Sequence, residues 1–308
     1  MEQLKSIERI DSESERVYLR NGVVLSFFLA RYVHEISDAL SLVLDRYLGL
    51  IPAGALTYVV PSATAEEWKE LNDKTLARCK ASLAPPGSRK RPMTSIHLND
   101  AGASAPMYSF SIVGKATDED VDEEMTLVQM TFGLDVLKNT QLEQFVANVK
   151  TIAGLLPFTS GYCSPTFLFS DLHKSKAWGE IRGLALRHPG YDVQYSRDSA
   201  LTLDGKSRGA RWLTLLGPGL VKKLGGLPAL KRRLPAPIML IELPTGLMIR
   251  AGTSPEIGDI NRRADTPLLR HVAQAIEPVT VFEEVPMLIY LALRDEEVLR
   301  RWERRFLD

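Results

Sequence analysis

Arg16-Val-Tyr-Leu-Arg-Asn21-Gly22-Val-Val-Leu-Ser-Phe-Phe28 joins two β-prone runs through Asn-Gly, the pair that supplies both left-handed positions of a tight primed turn. It predicts a β-hairpin, and with it antiparallel pairing near the start of the chain. A helix follows. From Arg31 to Leu48 the apolar residues Tyr32, Val33, Ile36, Leu40, Val43, Leu44 and Tyr47 recur at three- and four-residue steps, the spacing of a one-sided helical stripe.

Leu56 to Val60 reads as a strand. Thr64 and Glu67 form the pattern of a capping box for a second helix carrying Trp68, Leu71, Leu76 and Leu83, which Pro85-Pro86-Gly87 ends. Period-two character then predicts strands at Ser95 to Leu98, Tyr108 to Val113 and Glu124 to Phe132, and a helix from about Leu142 to Leu156 closes the first half. In the second half the pattern predicts a strand from Tyr162 to Phe169, a helix near Ala177 to Leu186 and a strand near Asp192 to Tyr195. Trp212 to Leu224 reads as a helix stopped by Gly225-Gly226, although Pro218 fits poorly inside it. Ile238 to Leu243 and Leu247 to Arg250 flank Pro244-Thr245-Gly246 as a second hairpin. A helix at Pro267 to Ile276, a strand around Thr280 to Glu284 and a terminal helix bearing Val298, Leu299, Trp302 and Phe306 complete the order.

This mixture favours an α+β fold, with mixed or mainly antiparallel sheets flanked by helices, over a regular βαβ sheet. Both halves contain hairpins beside helices, so residues 1–157 and 158–308 read either as two similar α+β lobes or as one continuous domain. No repeated motif supports a duplication.

With 308 residues, 45% of them hydrophobic, the chain can bury a substantial core. Thirty-eight basic and thirty-eight acidic residues cancel, which argues against a general nucleic-acid or membrane-surface binder. The balance is uneven: residues 1–155 carry 16 basic against 21 acidic residues, net −5, and residues 156–308 carry 22 against 17, net +5. Only Cys79 and Cys163 occur, both in apolar patterns that predict core positions. The first residues lack the pattern of a signal peptide, and the apolar runs Val23 to Ala30 and Val285 to Leu293 fall short of the roughly 18 residues of a membrane span. A cytoplasmic protein is expected, with no membrane association.

No catalytic residues are assigned. Gly205-Lys206-Ser207 ends like a phosphate-binding loop, but Ala200 stands where that loop needs its first glycine. Pro218 removes a backbone donor from Gly217-Pro218-Gly219, and Asp38 replaces the second histidine of a zinc-protease helix that His34-Glu35 would begin. Gly102 to Pro106 lacks the second glycine of a nucleophile elbow. The histidines 34, 97, 173, 188 and 271 have no ligand spacing, so neither a metal nor a cofactor is expected.

Charge runs are more informative. Asp118, Glu119, Asp120, Asp122, Glu123 and Glu124 place six carboxylates in seven positions; such a loop must face water or a cationic partner. It is the candidate partner-binding segment. Lys206, Arg208, Arg211, Lys222, Lys223, Lys231, Arg232 and Arg233 oppose only Asp204 between positions 201 and 233. A solvated helix face accounts for them, with direct nucleic-acid binding as the sharper alternative, and Trp212 reads as a core anchor. Arg300, Arg301, Arg304 and Arg305 around Trp302 suit the negative end of a terminal helix.

His188-Pro189-Gly190-Tyr191-Asp192, Arg211-Trp212-Leu213-Thr214, Leu224-Gly225-Gly226, Ala251-Gly252 with Pro255, and Gly258-Asp259-Ile260-Asn261-Arg262 together resemble the TsiV family, immunity proteins of bacterial type VI secretion effector pairs. Trp212, Gly225, Gly226, Gly258, Asp259, Asn261 and Arg262 are the structural core of that likeness, and Asp259, Asn261 and Arg262 are expected to lock a loop through side-chain to backbone bonds. The resemblance implies a non-enzymatic inhibitor that binds a cognate type VI toxin, foremost a DNA-degrading nuclease. The acidic run would meet that toxin's phosphate-binding surface. Two rival readings stand beside it: an enzyme of unrecognised type that reverses toxin damage, and a nucleic-acid-binding regulator using residues 206–233.

Overall fold

The computed structural model describes residues 4–60, 67–85, 93–115, 125–194, 196–282 and 296–308. At its centre lies a 12-stranded sheet. In chain order its strands are β1 (Glu8–Ile10), β2 (Val17–Leu29), β3 (Tyr58–Val60), β4 (Lys69–Glu70), β5 (Met93–Asn99), β6 (Ser109–Lys115), β7 (Thr126–Phe132), β8 (Ser160–Phe169), β9 (Asp192–Val193), β10 (Leu213–Leu216), β11 (Met239–Leu243) and β12 (Gly246–Arg250). They lie in the order β11-β12-β10-β8-β2-β7-β6-β5-β3-β4, with β1 beside β2 and β9 beside β8. Pairing is antiparallel except between β8 and β9. The fold is therefore α+β with an open, mainly antiparallel sheet.

The helices are α1 (Ser37–Leu48), α2 (Asp73–Leu83), α3 (Asn139–Leu155), α4 (Lys174–Arg187), α5 (Ser196–Thr202), α6 (Pro218–Lys223), α7 (Gly226–Arg233), α8 (Pro267–Ile276) and α9 (Glu296–Glu303). Val23, Leu25, Phe27 and Leu29 of β2 join α1, α2 and α3 in one large core. Val24 and Phe28 point to the opposite face, where α5 packs. α4 builds a cluster around Trp178 and Phe167, and on the second face α6, α7 and α8 build another around Leu220, Leu230 and Val272. Covering both faces explains why β2 and β8 read as almost continuous apolar runs.

The first hairpin does not form. Arg16–Phe28 is not folded back at Asn21-Gly22; β2 runs straight through it and pairs with β8 from Leu19↔Phe169 to Phe28↔Ser160. A primed turn would have left two short arms, whereas the extended strand gains a ten-residue ladder on one side and β7 on the other. Gly22 serves close approach: a Cβ there would meet the Phe132 carbonyl oxygen at 2.7 Å and Leu168 Cδ1 at 2.5 Å. Asn21 is buried and holds the preceding segment, accepting from the Ile7 amide at 2.8 Å and donating to the Lys5 carbonyl at 2.9 Å.

Three other expectations shift. The second helix starts at Asp73, capped by Asn72, whose side chain accepts from the Thr75 amide at 3.0 Å; Trp68 precedes it, and Thr64 lies outside the described residues. Trp212–Leu224 divides into β10 and α6, because Pro218 takes the first helical turn, where its missing N–H costs nothing. Near Thr280 there is a helical turn at Glu277–Val279, and the described part of the expected strand, residues 280–282, forms only a single bridge from Thr280 to Ser207; Glu283 and Glu284 lie outside the described residues. The other expected elements are present, with β1, β4, α5 and α7 as additions the sequence reading lacked, and the second hairpin closes through Leu243↔Gly246.

Candidate functional site

The glycines, prolines and charges singled out in the second half converge on two locks and one groove. In the first lock the loop after α4 meets the loop before α8. Gly190 donates to the Ile257 carbonyl at 2.8 Å, and His188 Nδ1 lies 2.8 Å from the Gly258 carbonyl oxygen. A Cβ on Gly190 would fall 1.9 Å from the Glu256 carbonyl oxygen, so only glycine fits. Gly258 has φ +69°, the left-handed conformation.

Asp259 fastens this lock. Its carboxylate takes two bonds from Arg187, at 3.0 and 2.8 Å, and one from the Asn261 amide at 3.0 Å. The paired guanidinium holds the carboxyl down to about 2. Arg262 approaches the same carboxylate at 3.7 Å, while the Asn261 backbone supplies the amide that fixes the turn. From the turn after α9, Arg305 donates to the Pro189 carbonyl at 2.7 Å and stacks over Trp302 of α9 at 3.8 Å.

The second lock surrounds Trp212, which is 1% exposed. Its indole N–H points at the Gly252 carbonyl, 3.4 Å away, and Arg250 Nε shares that acceptor at 3.2 Å. Arg250 also grips Glu143 of α3 with bonds of 2.8 and 2.5 Å. One guanidinium thus ties a helix of the first half to the sheet of the second.

Between the locks lies a sealed ion cluster. Asp192, fully buried, accepts from Arg211 Nε at 3.0 Å and from the Tyr162 hydroxyl at 3.0 Å, with Arg208 at 3.4 Å. Burial would raise the Asp192 carboxyl, but Arg208 and Arg211 outweigh it and keep it below its ordinary value. Burial pushes the Tyr162 hydroxyl up to about 12. Arg208 and Arg211 are therefore not part of a solvated basic face, a correction to the sequence expectation. The visible signal was position: Asp192 sits between Tyr191 and Val193, and Arg211 between Ala210 and Trp212, charges embedded in apolar surroundings that only mutual pairing makes tolerable.

From this cluster a polar row crosses the sheet. Tyr162, Ser26, Gln129, Ser111 and His97 are successive register partners on β8, β2, β7, β6 and β5. His97 Nδ1 lies 2.9 Å from Ser111 Oγ, and burial, with Arg197 nearby, lowers its imidazole to about 4. Such a row was invisible to sequence, because strand register decides it.

Gly225 and Gly226 occupy a different place. Both have left-handed φ, +89° and +77°, and they make the sharp turn between α6 and α7. With Lys222, Glu242 and Leu247 they line an open groove of about 640 Å³ against the β11–β12 hairpin. Lys222, which lines it, and Lys223, Lys231, Arg232 and Arg233 of α6 and α7 are all exposed. The acidic run Asp118, Glu119, Asp120, Asp122, Glu123 and Glu124 lies outside the described residues. Among the described residues no group of three or more histidine, cysteine or carboxylate side chains has a metal-binding arrangement, and no helix is long and apolar enough to cross a membrane.

The family TsiV, described as type VI immunity for VRR-NUC, matches residues 39–306. The chain belongs to this family of type VI immunity proteins. The match includes both locks, the buried cluster and the groove glycines. Among solved structures, the type VI secretion (T6SS) protein PA0821 of Pseudomonas aeruginosa superimposes with a TM-score of 0.78 at 17% identity, covering 99% of this chain and 88% of that one. That likeness is one of fold. Comparison with curated proteins finds no match.

Proposed function

We propose that this TsiV-family protein protects its producing cell by binding a type VI effector with a VRR-NUC nuclease domain and blocking it stoichiometrically, without chemistry of its own. The observation that carries the reading is the family match over residues 39–306, whose description names that nuclease class. The geometry supports it: the charged motif residues are spent on mutual structural bonds, Asp192 with Arg211 and Asp259 with Arg187, and what they support is surface.

Protection against a nuclease demands tight capture. Nanomolar affinity corresponds to about −12 kcal/mol and usually needs about 1,600 Å² of total buried area. The acidic run from Asp118 to Glu124 is the proposed steering element, since a nuclease presents cations to bind phosphates. Acting on cytoplasmic DNA, the toxin would be met in the cytoplasm.

Co-expression with a VRR-NUC effector of the same bacterium tests the proposal. Survival of the host, a complex that persists through gel filtration, and complete inhibition of DNA cleavage only at one equivalent are expected. Detoxification by a trace amount would instead establish an enzyme that reverses the damage.

A further inference from the structure

The sheet ends on β11. Its neighbour on one side is β12, and no described strand pairs with its other side. The hairpin's two-residue loop, Pro244-Thr245, closes on Leu243↔Gly246, so Met239, Ile241 and Leu243 occupy the inward-bonding positions of the ladder. Alternation then turns the N–H and C=O of Leu240 and Glu242 outward. At the opposite end of the sheet β4 is only two residues long and both are charged, a blunted edge. β11, by contrast, offers five residues and the exposed or half-buried side chains of Met239, Leu240 and Ile241.

Lys222 shares a groove with Glu242 of this strand, and four more cations stand close to it along the chain. Lys222 lines the groove beside Glu242, with Lys223 next to it. Lys231, Arg232 and Arg233 end α7 six residues before β11 begins. None of the five makes an ion pair with a described residue. A second copy of this chain is a poor occupant, because edge-to-edge pairing would crowd both sets of cations together. Duplex nucleic acid would use the charge but not the outward peptide groups.

The geometry points to an extended acidic segment of the effector that adds to β11 as one more strand, its backbone bonding Leu240 and Glu242 and its carboxylates meeting Lys222 and the exposed cations of α6 and α7. The position opposite Glu242 takes an uncharged side chain, since like charges directly opposed are unfavourable. Peptide bonds supply the affinity and the flanking charges the selectivity, as in other strand additions. This inference rests on the proposed inhibitory binding, and it names where part of that binding occurs.

Glu242→Pro is the decisive variant. It removes an N–H that faces outward, so the β11–β12 hairpin and the thermal midpoint of the free protein should survive. Glu242→Thr, which keeps the N–H, is its control. The probe is that VRR-NUC effector, made catalytically inactive and captured on a sensor surface. Glu242→Pro should weaken its binding at least about tenfold, and reversing Lys222, Lys223, Lys231, Arg232 and Arg233 to glutamate should do the same at low salt. Glu242→Thr should bind as the parent does, and the Leu240 and Glu242 amides should exchange more slowly in the complex. A tight parental complex with unchanged affinity in both variants and unchanged exchange overturns the strand addition while leaving inhibition intact. Absence of any parental complex overturns both. Binding of a 20-base-pair DNA duplex that charge reversal abolishes, with effector affinity untouched, would assign the surface to nucleic acid and likewise overturn it.

Discussion

Asp192 sits where two guanidiniums would otherwise be buried without a counter-charge. Replacing it by asparagine keeps the shape and removes the charge that compensates Arg208 and Arg211, 3% and 4% exposed. Breaking a buried pair from one side costs about 3–5 kcal/mol, so Asp192→Asn should lower the urea midpoint by a large fraction of the total stability. The sign with pH follows from the carboxyl lying below its ordinary value of 3.8. Its contribution is complete above that value and is lost as pH falls through the lower folded one. Urea titrations between pH 5 and 2 should show the parent losing this stability, with a shallower decline in Asp192→Asn. In the same region the buried Gly190 has no room for a methyl group, with a carbonyl oxygen 1.9 Å from its virtual Cβ. Gly190→Ala should cost about 3 kcal/mol through forced backbone displacement, whereas Gly179→Ala, which meets nothing within 4 Å inside α4, should stabilise by about 0.5–1 kcal/mol. Chemical denaturation of the pair separates a packing requirement from a general intolerance of substitution.

At the scale of elements, periodicity located α1, α3 and α8 because each buries a stripe whose spacing is local. The second hairpin was legible for a similar reason: Pro244-Thr245-Gly246 joins two runs that pair only with neighbours in sequence. Asn21-Gly22 carried an equally strong turn signal and misled, because β2 gains its pairing from β7 and β8, whose partner residues begin 97 positions further along the chain (Leu29↔Thr126). Local chemistry cannot weigh that distant ladder. The 213–216 segment failed likewise: Leu-Thr-Leu-Leu suits helix or strand, and only the partners Cys163 and Arg250 of Leu213 decide it. The motif glycines could be recognised as constrained from sequence, but their grouping into locks, and the Asp192 cluster, depend on which loops meet. A substitution distinguishes the two meanings of Asn21-Gly22. In a primed turn Gly22→Asn would be mild, whereas in the central strand the new side chain collides with Leu168 and the Phe132 carbonyl. We expect Gly22→Asn to lower stability by about 2–4 kcal/mol or abolish soluble expression, with loss of the sheet signal in circular dichroism.

For the whole molecule the relevant quantity is the separation of charge, since the total is zero while residues 1–155 carry net −5 and residues 156–308 net +5. Such a chain exerts little attraction at long range, yet two opposed patches can orient a partner during encounter. The acidic run at 118–124 and the cations at 222–233 are the densest charge runs of the sequence, and they would favour an effector that carries both a cationic substrate face and an acidic segment. Reversing Asp118, Glu119, Asp120 and Asp122 to lysine therefore belongs to the kinetics of binding more than to its strength. Steering acts on the encounter rate and is screened beyond about 10 Å at 0.1 M salt, while packed contacts set the dissociation rate. The four-fold reversal should slow association with the effector by about tenfold or more at 20 mM salt, leave dissociation within about twofold, and lose most of its effect at 0.5 M. Stopped-flow association across that salt range measures all three. An association rate unchanged at low salt removes the acidic run from the interface. A dissociation rate that rises in step with the loss of affinity makes it an anchor instead of a guide.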